Sequence, residues 1–396
     1  MQLDIQQRIV IDSALGQNPS IGRASNGDLL LLHTDLTDCM AGTRLLLRRS
    51  VDAGRTWSAP EREIVSEMEL GGVEGTISCL GDLVFIVHME GSDLKRRPEN
   101  PRLTRLLRST DGGRTFEPAR TLEGDWGPVM PFGHVIRLRE NGRLLLPAYR
   151  FGRPPEDTRV QVLTSDDEGL TWALAGTILR RPDITDVLIS ETSLLELPDG
   201  RLLAISRGDA IAAGAFPYGF RAVSTDGGRS WSAAEPINLQ VCEPRLTATA
   251  DGQIVLAARS WPGNVRYWYR PLRDEEREPG SQQKETVDMV VVDEYATPVR
   301  DFGVLLFSTA DEGFTWEPQL TLESPRPSGI DRDVSPLVQH RYQAGYPDVL
   351  SLDVERLIVV FRQPDATMPD IRLGLTYSHA FQRYVAANIV RVETSV

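Results

Sequence analysis

The chain has 396 residues, a formal net charge of −13 and 41% hydrophobic residues, which is the composition of a folded globular protein and not of a disordered one. The net negative charge argues against nonspecific binding to nucleic acid or to an anionic membrane surface. The sequence has no apolar run of about 18 residues, the length that a helix needs to cross a bilayer. We therefore expect neither nucleic acid nor a membrane among its partners.

The N-terminal stretch 1–16 lacks the basic segment followed by an apolar run that a secretory signal has. We therefore expect a cytoplasmic protein, or a secreted one if a leader precedes this sequence. The cysteines, Cys39, Cys79 and Cys242, are odd in number and far apart, which fits neither a disulfide framework nor a C-x-x-C metal site. We expect no metal and no cofactor.

Two kinds of turn alternate along the chain. The first is a turn dipeptide followed by an apolar run, which is a strong hairpin signal. Its copies are NGDLLLL (26–32), GDLVFIV (81–87), NGRLLLP (141–147), DGRLLAI (199–205), DGQIVLA (251–257) and the degenerate VERLIVV (354–360). The second is an eight-residue phrase with aspartate third and an aromatic residue last. Its copies are SVDAGRTW (50–57), STDGGRTF (109–116), SDDEGLTW (165–172), STDGGRSW (224–231) and TADEGFTW (309–316).

These turns predict an all-β fold. Each unit of about 60 residues carries two hairpin turns, hence four antiparallel strands, and six such units describe a six-bladed β-propeller. The whole chain, 1–396, is then a single domain. The segment IQQRIVI (5–11) is expected to add a strand to the last blade and close the ring. In the eight-residue phrase, the aspartate and serine bond turn amides, a glycine supplies positive φ and the aromatic packs between sheets, so the phrase is scaffold.

The alternation of strand direction predicts where a site lies. If the strands of a blade are called a to d from the axis outwards, the a–b and c–d turns share one face. The d–a links and b–c loops share the other, which we call the site face. Starts of strand a, ends of strand b and the b–c loops therefore supply the candidates.

The candidates on the site face are mostly ionisable or polar. At the starts of strand a they are Gln17, Asn18, Glu74, His134, Glu191, Glu243 and Tyr346. At the ends of strand b they are His33, His88, Arg150, Arg207, Arg259 and Arg362. In the b–c loops and at the starts of strand c they are Asp35, Asp38 and Arg300. Singly, a histidine here is commonly satisfied by backbone and an arginine by solvent or an ion pair; their common location favours a binding mouth.

The eight-residue phrase resembles the Asp-box of the sialidase superfamily, and the resemblance covers nearly the whole chain. ETSLLELPDGRLLAISR (191–207) is similar to a family segment that opens a blade with glutamate and ends the next strand with arginine, so Glu191 and Arg207 take those places. VRDFGVLLFSTADEGFTW (299–316) nominates Arg300 in the same way.

The remaining family residues are nominated by two further segments. GYPDVLSL (345–352) resembles the string that holds the family's nucleophilic tyrosine, which nominates Tyr346. The segment 33–50 offers Asp38 as the acid/base residue, with Asp35 as its rival. The resemblance implies an exo-acting, retaining glycoside hydrolase on an acidic sugar, either sialic-acid-like or uronic.

The implied roles follow the family's chemistry. Tyr346 would be the nucleophile and Glu191 would take its proton, because an unperturbed tyrosine has a pKa near 10. Asp38 would protonate the leaving oxygen, and Arg207 and Arg300 would hold the acidic group. The resemblance implies a carbohydrate substrate. Further substrate contacts are expected from Gln17, Asp35, His33, His88, His134, Glu74 and Arg259.

The sequence departs from the family at Gln17, which stands in QNPSI (17–21) where the family has an arginine that grips the sugar carboxylate. Loss of one charged hydrogen bond weakens recognition by about 1.5–3 kcal/mol. The departure, together with His33, His88 and His134, keeps open a polysaccharide lyase or atypical hydrolase on uronic-acid glycans. A non-catalytic Asp-box scaffold is the third alternative. The sugar, its linkage and the oligomeric state are left open.

Structural roles also stay open for three of the nominated residues. Glu191 could pair with Arg207 as a structural bridge, Tyr346 could be a packing aromatic, and Asp38 could be a turn residue. The segment 261–298 lengthens the b–c loop of blade five and so lies on the site face. It is expected to be a lid, a substrate wall, a contact in a homo-oligomer or a mobile surface insertion.

Overall fold

The computed structural model describes residues 1–12, 16–35, 42–68, 71–91, 102–150, 158–180, 183, 187–210, 219–260, 265–271, 285–292, 303–322, 344–364 and 383–393. These residues form β-strands and turns, and no α-helix occurs among them. Within the same residues no helix is long and apolar enough to span a membrane. The strands assemble into the six sheets of a propeller, as the sequence predicts.

The strands follow the chain from blade to blade. The first, β1 (Gln2–Asp12), belongs to the sixth blade. Blade one contains β2 (Gln17–Arg23), β3 (Leu29–Thr34), β4 (Leu45–Ser50) and β5 (Arg62–Ile64). Blade two contains β6 (Gly72–Leu80), β7 (Leu83–Gly91), β8 (Arg102–Ser109) and β9 (Arg120–Thr121). Blade three contains β10 (Met130–Pro131), β11 (Ile136–Arg137), β12 (Leu144–Arg150), β13 (Arg159–Ser165) and β14 (Ala173–Arg180), with its inner strand in two pieces.

The second half of the chain repeats this plan. Blade four contains β15 (Val187–Glu196), β16 (Leu202–Ala210), β17 (Phe220–Ser224) and β18 (Glu235–Pro236). Blade five contains β19 (Cys242–Ala248), β20 (Ile254–Ser260), β23 (Gly303–Thr309) and β24 (Glu317–Leu322), and β21 (Val265–Pro271) pairs with β22 (Glu285–Val292) in a separate hairpin. Blade six contains β25 (Gly345–Ser351), β26 (Arg356–Pro364) and β27 (Arg383–Glu393), with β1 as its outer strand. The predicted closing strand is therefore confirmed.

Apolar side chains from adjacent sheets fill the spaces between blades. One cluster lies at each of the six blade interfaces, for example Leu32, Leu47 and Ile86 between blades one and two. Strand residues alternate between the two faces of a sheet, so successive leucines in β3 pack against different neighbours. Burial on both faces makes each blade a layer between two others.

The eight-residue phrases are the c–d turns, as predicted. In 224–231, Ser224 Oγ lies 2.9 Å from Asp226 Oδ1, and Asp226 accepts hydrogen bonds from the N–H and hydroxyl of Ser230 at 2.9 and 2.5 Å. Gly228 has a φ of 87°, a backbone conformation that glycine adopts without steric cost. The Trp231 indole N–H donates to Gly228 O at 3.1 Å. The aspartate therefore satisfies the turn's own amides and is not directed at a ligand.

Candidate functional site

Three inner strands begin with the same local distortion, at the site face. Asn18, Glu243 and Tyr346 each precede a proline and have φ values of 47°, 57° and 51°. At each of them the register between strands a and b shifts, which is the signature of a β-bulge. A bulge redirects a side chain, and a positive φ in a non-glycine residue marks local strain. The distortion thus recurs at three strand starts around the ring.

A small cleft opens at these strand starts. Three of its lining residues can carry charge or donate protons: Glu74, Arg245 and Tyr346. The rest of its lining consists of Asn18, Pro19, Gly75, Thr76, Pro131, Phe132 and Pro347. The lining comes from the inner strands of blades one, two, five and six and from the break in that of blade three. The cleft therefore lies at the convergence of the blades.

Tyr346 lies in a cationic and hydrogen-bonded setting. The guanidinium carbon of Arg362 lies 4.9 Å from the centre of the Tyr346 ring, and that of Arg259 lies 6.0 Å away. Its backbone N–H donates to Glu243 Oε2 at 2.5 Å. Cations over an aromatic face are attracted by its quadrupole. The predicted nucleophile therefore lies in the cleft, beside two arginines.

Glu191 and Arg207 form an ion pair, which is the contact expected of a structural bridge between them. Arg207 Nη1 lies 3.0 Å from Glu191 Oε1, and Glu191 Oε2 accepts the backbone N–H of Glu243 at 2.8 Å. Glu191 is 7% exposed. Its two carboxylate oxygens are held by Arg207 and by the backbone N–H of Glu243. Glu191 thereby connects to Tyr346 through Glu243.

The Glu243 carboxylate is the hub of this connection. Glu243 has no exposed surface and forms an ion pair with Arg259, with 2.7 Å between Oε1 and Nη2. Burial alone would lower the pKa of Arg259, but the neighbouring groups, chiefly the Glu243 carboxylate, together outweigh it and raise that pKa above its ordinary value. Arg259, expected at a strand b end, thus remains cationic next to Tyr346.

Gln17, which stands in place of the family's arginine, is buried and contacts an arginine from blade six. Arg362 Nη1 lies 3.3 Å from Gln17 Oε1, and both side chains are nearly inaccessible. A second arginine at residue 17 would place two guanidiniums together. Glutamine at residue 17 therefore provides an acceptor for Arg362 where arginine would add a second positive charge.

Beneath the cleft, a fully buried aspartate of blade six contacts three other blades. Asp348 Oδ1 lies 2.9 Å from His134 Nε2 and 3.5 Å from Arg245 Nε, and its Oδ2 accepts the N–H of Ile21 at 2.8 Å. Burial alone would raise the pKa of Asp348, but His134 and Arg245 outweigh it and the pKa is lowered. Burial lowers the pKa of Arg245, whose guanidinium lies 3.8 Å above the Phe132 ring. His134 therefore belongs to the site as a partner of Asp348.

Glu74 faces the cleft, and a polar partner holds its carboxylate. Glu74 Oε1 accepts a hydrogen bond from Asn18 Nδ2 at 2.8 Å. Glu74 is only partly buried, whereas Asn18 is 6% exposed. The pair spans blades one and two and presents hydrogen-bonding groups of the kind that bind sugar hydroxyls.

His33 does not reach the cleft. Its side chain is fully buried, Nδ1 lies 3.0 Å from Thr34 O, and Nε2 accepts from Arg48 Nε at 3.1 Å. Desolvation lowers the pKa of His33. Arg48 is also ion-paired with Asp12 of the closing strand. Since no part of the imidazole is accessible, the structure argues against the expected substrate contact and favours a role in ring closure.

His88 is likewise enclosed. It is 2% exposed, because β7 continues past it to Gly91 and keeps it in the sheet interior. Burial lowers its pKa to about 4, so the imidazole is neutral near pH 7. The expected contact between His88 and a substrate therefore conflicts with its burial.

The remaining predicted residues lie elsewhere or outside the described residues. Asp35 accepts from Arg44 twice, with its Oδ1 2.7 Å from the backbone N and its Oδ2 2.6 Å from Nε, so it braces the start of strand c. Asp38 and Arg300 fall outside the described residues. The segment 261–298 lies between strands b and c of blade five, as predicted. It contains the β21–β22 hairpin, and its other residues are not described.

Four residues with prominent roles in this geometry had no role assigned from the sequence. Glu243 and Arg362 were placed on the site face only, and Arg245 and Asp348 were not singled out. A shared pattern marks three of the four: a residue with positive φ, then proline, then a polar residue, as in NPS (18–20), EPR (243–245) and YPD (346–348). Within the described residues, no group of three histidine, cysteine or acidic side chains could hold a metal ion.

The sequence is similar to a known domain family and to a known sialidase. Residues 81–354 match the BNR repeat-like domain. Over 247 residues the chain is 30% identical to a sialidase from Micromonospora viridifaciens, an alignment that covers 54% of this chain and 35% of that protein. The chain thus spans well under half the length of this curated relative.

Solved structures with the same fold cover nearly the whole chain. A protein of unknown function from Dyadobacter fermentans has a TM-score of 0.69 at 18% identity, covering 99% of this chain and 100% of that one. A Hadza microbial sialidase has a TM-score of 0.60 at 15% identity, covering 95% and 65%. An α-L-arabinofuranosidase from Fusarium graminearum has a TM-score of 0.58 at 12% identity, covering 98% of both chains. At these identities the likeness establishes the fold.

Proposed function

Because the chain belongs to the family of BNR repeat-like domains, with the propeller fold of the sialidase superfamily, we propose that it is a glycoside hydrolase that removes an acidic sugar from the end of a glycan. Its acidic sugar is sialic-acid-like or uronic. Tyr346 is the nucleophile, Glu191 the base that serves it and Asp38 the acid/base residue. Arg207 and Arg300 bind the acidic group.

The observation that carries this proposal is the setting of Tyr346. The residue lines the cleft, has a strained backbone and lies within reach of the Arg259 and Arg362 guanidiniums. Strained, over-determined residues concentrate at functional sites. A purely packing tyrosine needs neither the cleft nor the two cations.

The first half of the reaction forms a glycosyl-tyrosine. The Tyr346 phenolic oxygen attacks the anomeric carbon while Glu191 takes its proton, and the bond from that carbon to the leaving oxygen breaks. Asp38 gives a proton to the leaving oxygen. A neutral nucleophile with a nearby base avoids bringing a carboxylate against an anionic sugar, and tyrosine glycosidases are a known exception to the two-carboxylate scheme.

The second half restores the enzyme. Water attacks the anomeric carbon, Asp38 takes a proton from that water, and the bond from the sugar to Tyr346 breaks. The phenolate recovers its proton from Glu191. Two displacements at one carbon retain its configuration.

Recognition of an acidic group is supported by the arginines around the mouth. Arg207 is expected to contact the substrate, and its position is fixed by Glu191 at 3.0 Å. At the place of the missing family arginine, Arg362 extends from blade six to within 3.3 Å of Gln17. A buried guanidinium therefore lies near residue 17, although it comes from another blade.

The test is a panel of fluorogenic glycosides, comprising a sialoside, a glucuronoside and an arabinofuranoside, at about pH 5–7. We expect turnover of one acidic glycoside, a loss of at least about 1,000-fold in kcat for Tyr346→Phe and a comparable loss for Glu191→Gln. Glu90→Gln is the matched control. Glu90 is also a buried glutamate that accepts a backbone N–H, from Met68 at 2.9 Å, and pairs with an arginine, Arg105 at 3.3 Å.

The alternatives give different results in the same panel. Turnover of the arabinofuranoside alone would replace the acidic substrate by a neutral one. An ultraviolet-absorbing unsaturated uronate released from a uronic-acid glycan would indicate a lyase, although burial of His33 and His88 removes two of the three histidines that favoured that reading. No processing of any glycan would leave the scaffold alternative.

A further inference from the structure

Three successive blades are joined at the mouth by two contacts of the same kind. The Glu191 carboxylate of blade four accepts the backbone N–H of Glu243 at 2.8 Å. The Glu243 carboxylate of blade five accepts the backbone N–H of Tyr346 at 2.5 Å. In both cases the donor is the bulged residue that precedes a proline. The position of Tyr346 thus depends on Glu243, and that of Glu243 on Glu191.

The backbone of Tyr346 requires such a support. A left-handed φ is sterically unfavourable for a non-glycine residue, and it persists only where surrounding contacts impose it. A charged acceptor forms a stronger hydrogen bond with an N–H than a neutral one does. Glu243 is fully buried, so this bond is not weakened by competition from water.

The same carboxylate also fixes the charge near the ring. Glu243 Oε1 lies 2.7 Å from Arg259 Nη2, and the Arg259 guanidinium lies 6.0 Å from the Tyr346 ring centre. One side chain therefore holds the tyrosine's backbone through one oxygen and a neighbouring cation through the other.

We propose that Glu243 is a positioning residue that holds Tyr346 in its left-handed backbone conformation and holds Arg259 beside its ring. Its role as an aid to catalysis rests on the proposed function, in which Tyr346 is the nucleophile. Glu243 itself is inaccessible to substrate and acts through the tyrosine.

The kinetic test compares two substitutions. Glu243→Ala removes both contacts, and we expect kcat to fall about 100-fold while KM changes less than about threefold, because misplacement of a reacting group affects the chemical step. Glu243→Gln keeps an acceptor for the Tyr346 N–H, and we expect it to recover at least about tenfold of that loss. Glu90→Ala and Glu90→Gln are the matched controls and leave both constants within about twofold.

Two readouts need no turnover and keep this inference separate from the proposed function. A crystal structure of Glu243→Ala should show residue 346 outside the left-handed region, whereas Glu243→Gln should retain it. The phenolate absorbance of Tyr346 is obtained by subtracting the Tyr346→Phe spectrum in each background. Loss of the Glu243 charge leaves Arg259 uncompensated, so this phenolate should appear at lower pH in Glu243→Gln than in wild type.

These outcomes decide the proposal. A folded Glu243→Ala with wild-type kcat and an unchanged φ at residue 346 would overturn it. So would a rise in KM alone, which would make Glu243 a determinant of binding. If Glu243→Ala does not fold, the phenolate and kcat of Glu243→Gln decide. If wild type hydrolyses no glycoside, the proposed function fails, and the structural and spectroscopic results still support or refute the positioning role.

Discussion

His134, which is partly exposed, and the fully buried Asp348 form a pair in which both imidazole nitrogens lie near oxygen atoms. Nε2 lies 2.9 Å from Asp348 Oδ1, and Nδ1 lies 2.9 Å from the backbone oxygen of Ile77. The pair connects blades two, three and six below the cleft, and Arg245 of blade five approaches the same carboxylate oxygen.

Removal of the Asp348 charge should destabilise the propeller. Asp348→Asn leaves Arg245 without its buried counter-charge, and loss of one partner from a buried pair costs about 3–5 kcal/mol. Urea unfolding near pH 7 measures this free energy. The control is Asp353→Asn, which breaks a surface pair with Arg356, and it should cost less than about 1 kcal/mol.

The same variant should change the response to acid. The folded-state pKa of Asp348 is lowered, so its contribution to the free energy of unfolding is present above its unfolded pKa of about 3.9. That contribution is lost as the pH falls through the folded-state pKa. Asp348→Asn should therefore lose less stability than wild type below about pH 4. Equal acid slopes would contradict the assigned pair.

His88 should make the protein less stable in mild acid. Burial lowers its folded-state pKa to about 4, below an unfolded value near 6.5, so the unfolded chain binds a proton first as the pH falls. Stability is complete above about pH 6.5 and declines between there and about pH 4, by about 2 kcal/mol between pH 7 and pH 5. Urea midpoints at these pH values measure the decline.

The comparison variant is His88→Phe, which keeps the volume and cannot titrate. Neither ring nitrogen of His88 has a well-aligned hydrogen-bond partner within the described parts of the chain, so the replacement should cost little near pH 7. It should lose about 2 kcal/mol less than wild type on acidification. Burial also lowers the pKa of His33, so a smaller dependence should persist in the variant.

The Asp-box aspartates should matter for stability and not for catalysis. Asp167 accepts from the N–H and hydroxyl of Thr171 at 2.8 and 2.5 Å, and these bonds, with Ser165, lower its pKa to about 2. Asp167→Ala should cost about 2 kcal/mol and leave kcat/KM unchanged, because the turn lies on the face opposite the cleft. Its neighbour Asp166, an exposed partner of Arg143, provides the Asp166→Ala control. A loss of kcat/KM without a loss of stability would contradict the scaffold role.

The propeller was predictable because its signals are local. Asn-Gly and Asp-Gly turns and the serine–aspartate pairs of the boxes act within eight residues, so each copy can be recognised independently. Strand alternation then assigns the faces, and Glu191, Arg207 and Tyr346 do lie together on the predicted one. The face on which a residue lies follows from the alternation of strand direction alone.

Burial and pairing within that face were not predictable in the same way. His88 sits near the end of a strand in sequence, but β7 runs on to Gly91 and covers it. Glu243 and Asp348 acquire their roles from contacts with other blades, such as Asp348 with the Ile21 N–H. These contacts depend on bulges, and their only sequence mark is the proline after Asn18, Glu243 and Tyr346.

The pairing of Gln17 with Arg362 leads to a reciprocal prediction. Gln17→Arg restores the family's residue, but it places a second guanidinium within a buried site that already holds Arg362. An uncompensated buried charge costs about 3–5 kcal/mol, so this variant should be destabilised and should not gain affinity for an acidic glycoside. Urea unfolding and KM measure the two effects.

The double variant Gln17→Arg with Arg362→Gln separates charge from position. It returns the guanidinium count to one and exchanges donor and acceptor across the same contact, so most of the lost stability should be regained. Arg362→Gln alone should raise KM for the acidic glycoside about tenfold or more, since it removes a cation from beside Tyr346. If Gln17→Arg is as stable as wild type and lowers KM, then Arg362 does not take the place of the family's arginine, and residue 17 would itself be open to the substrate's acidic group.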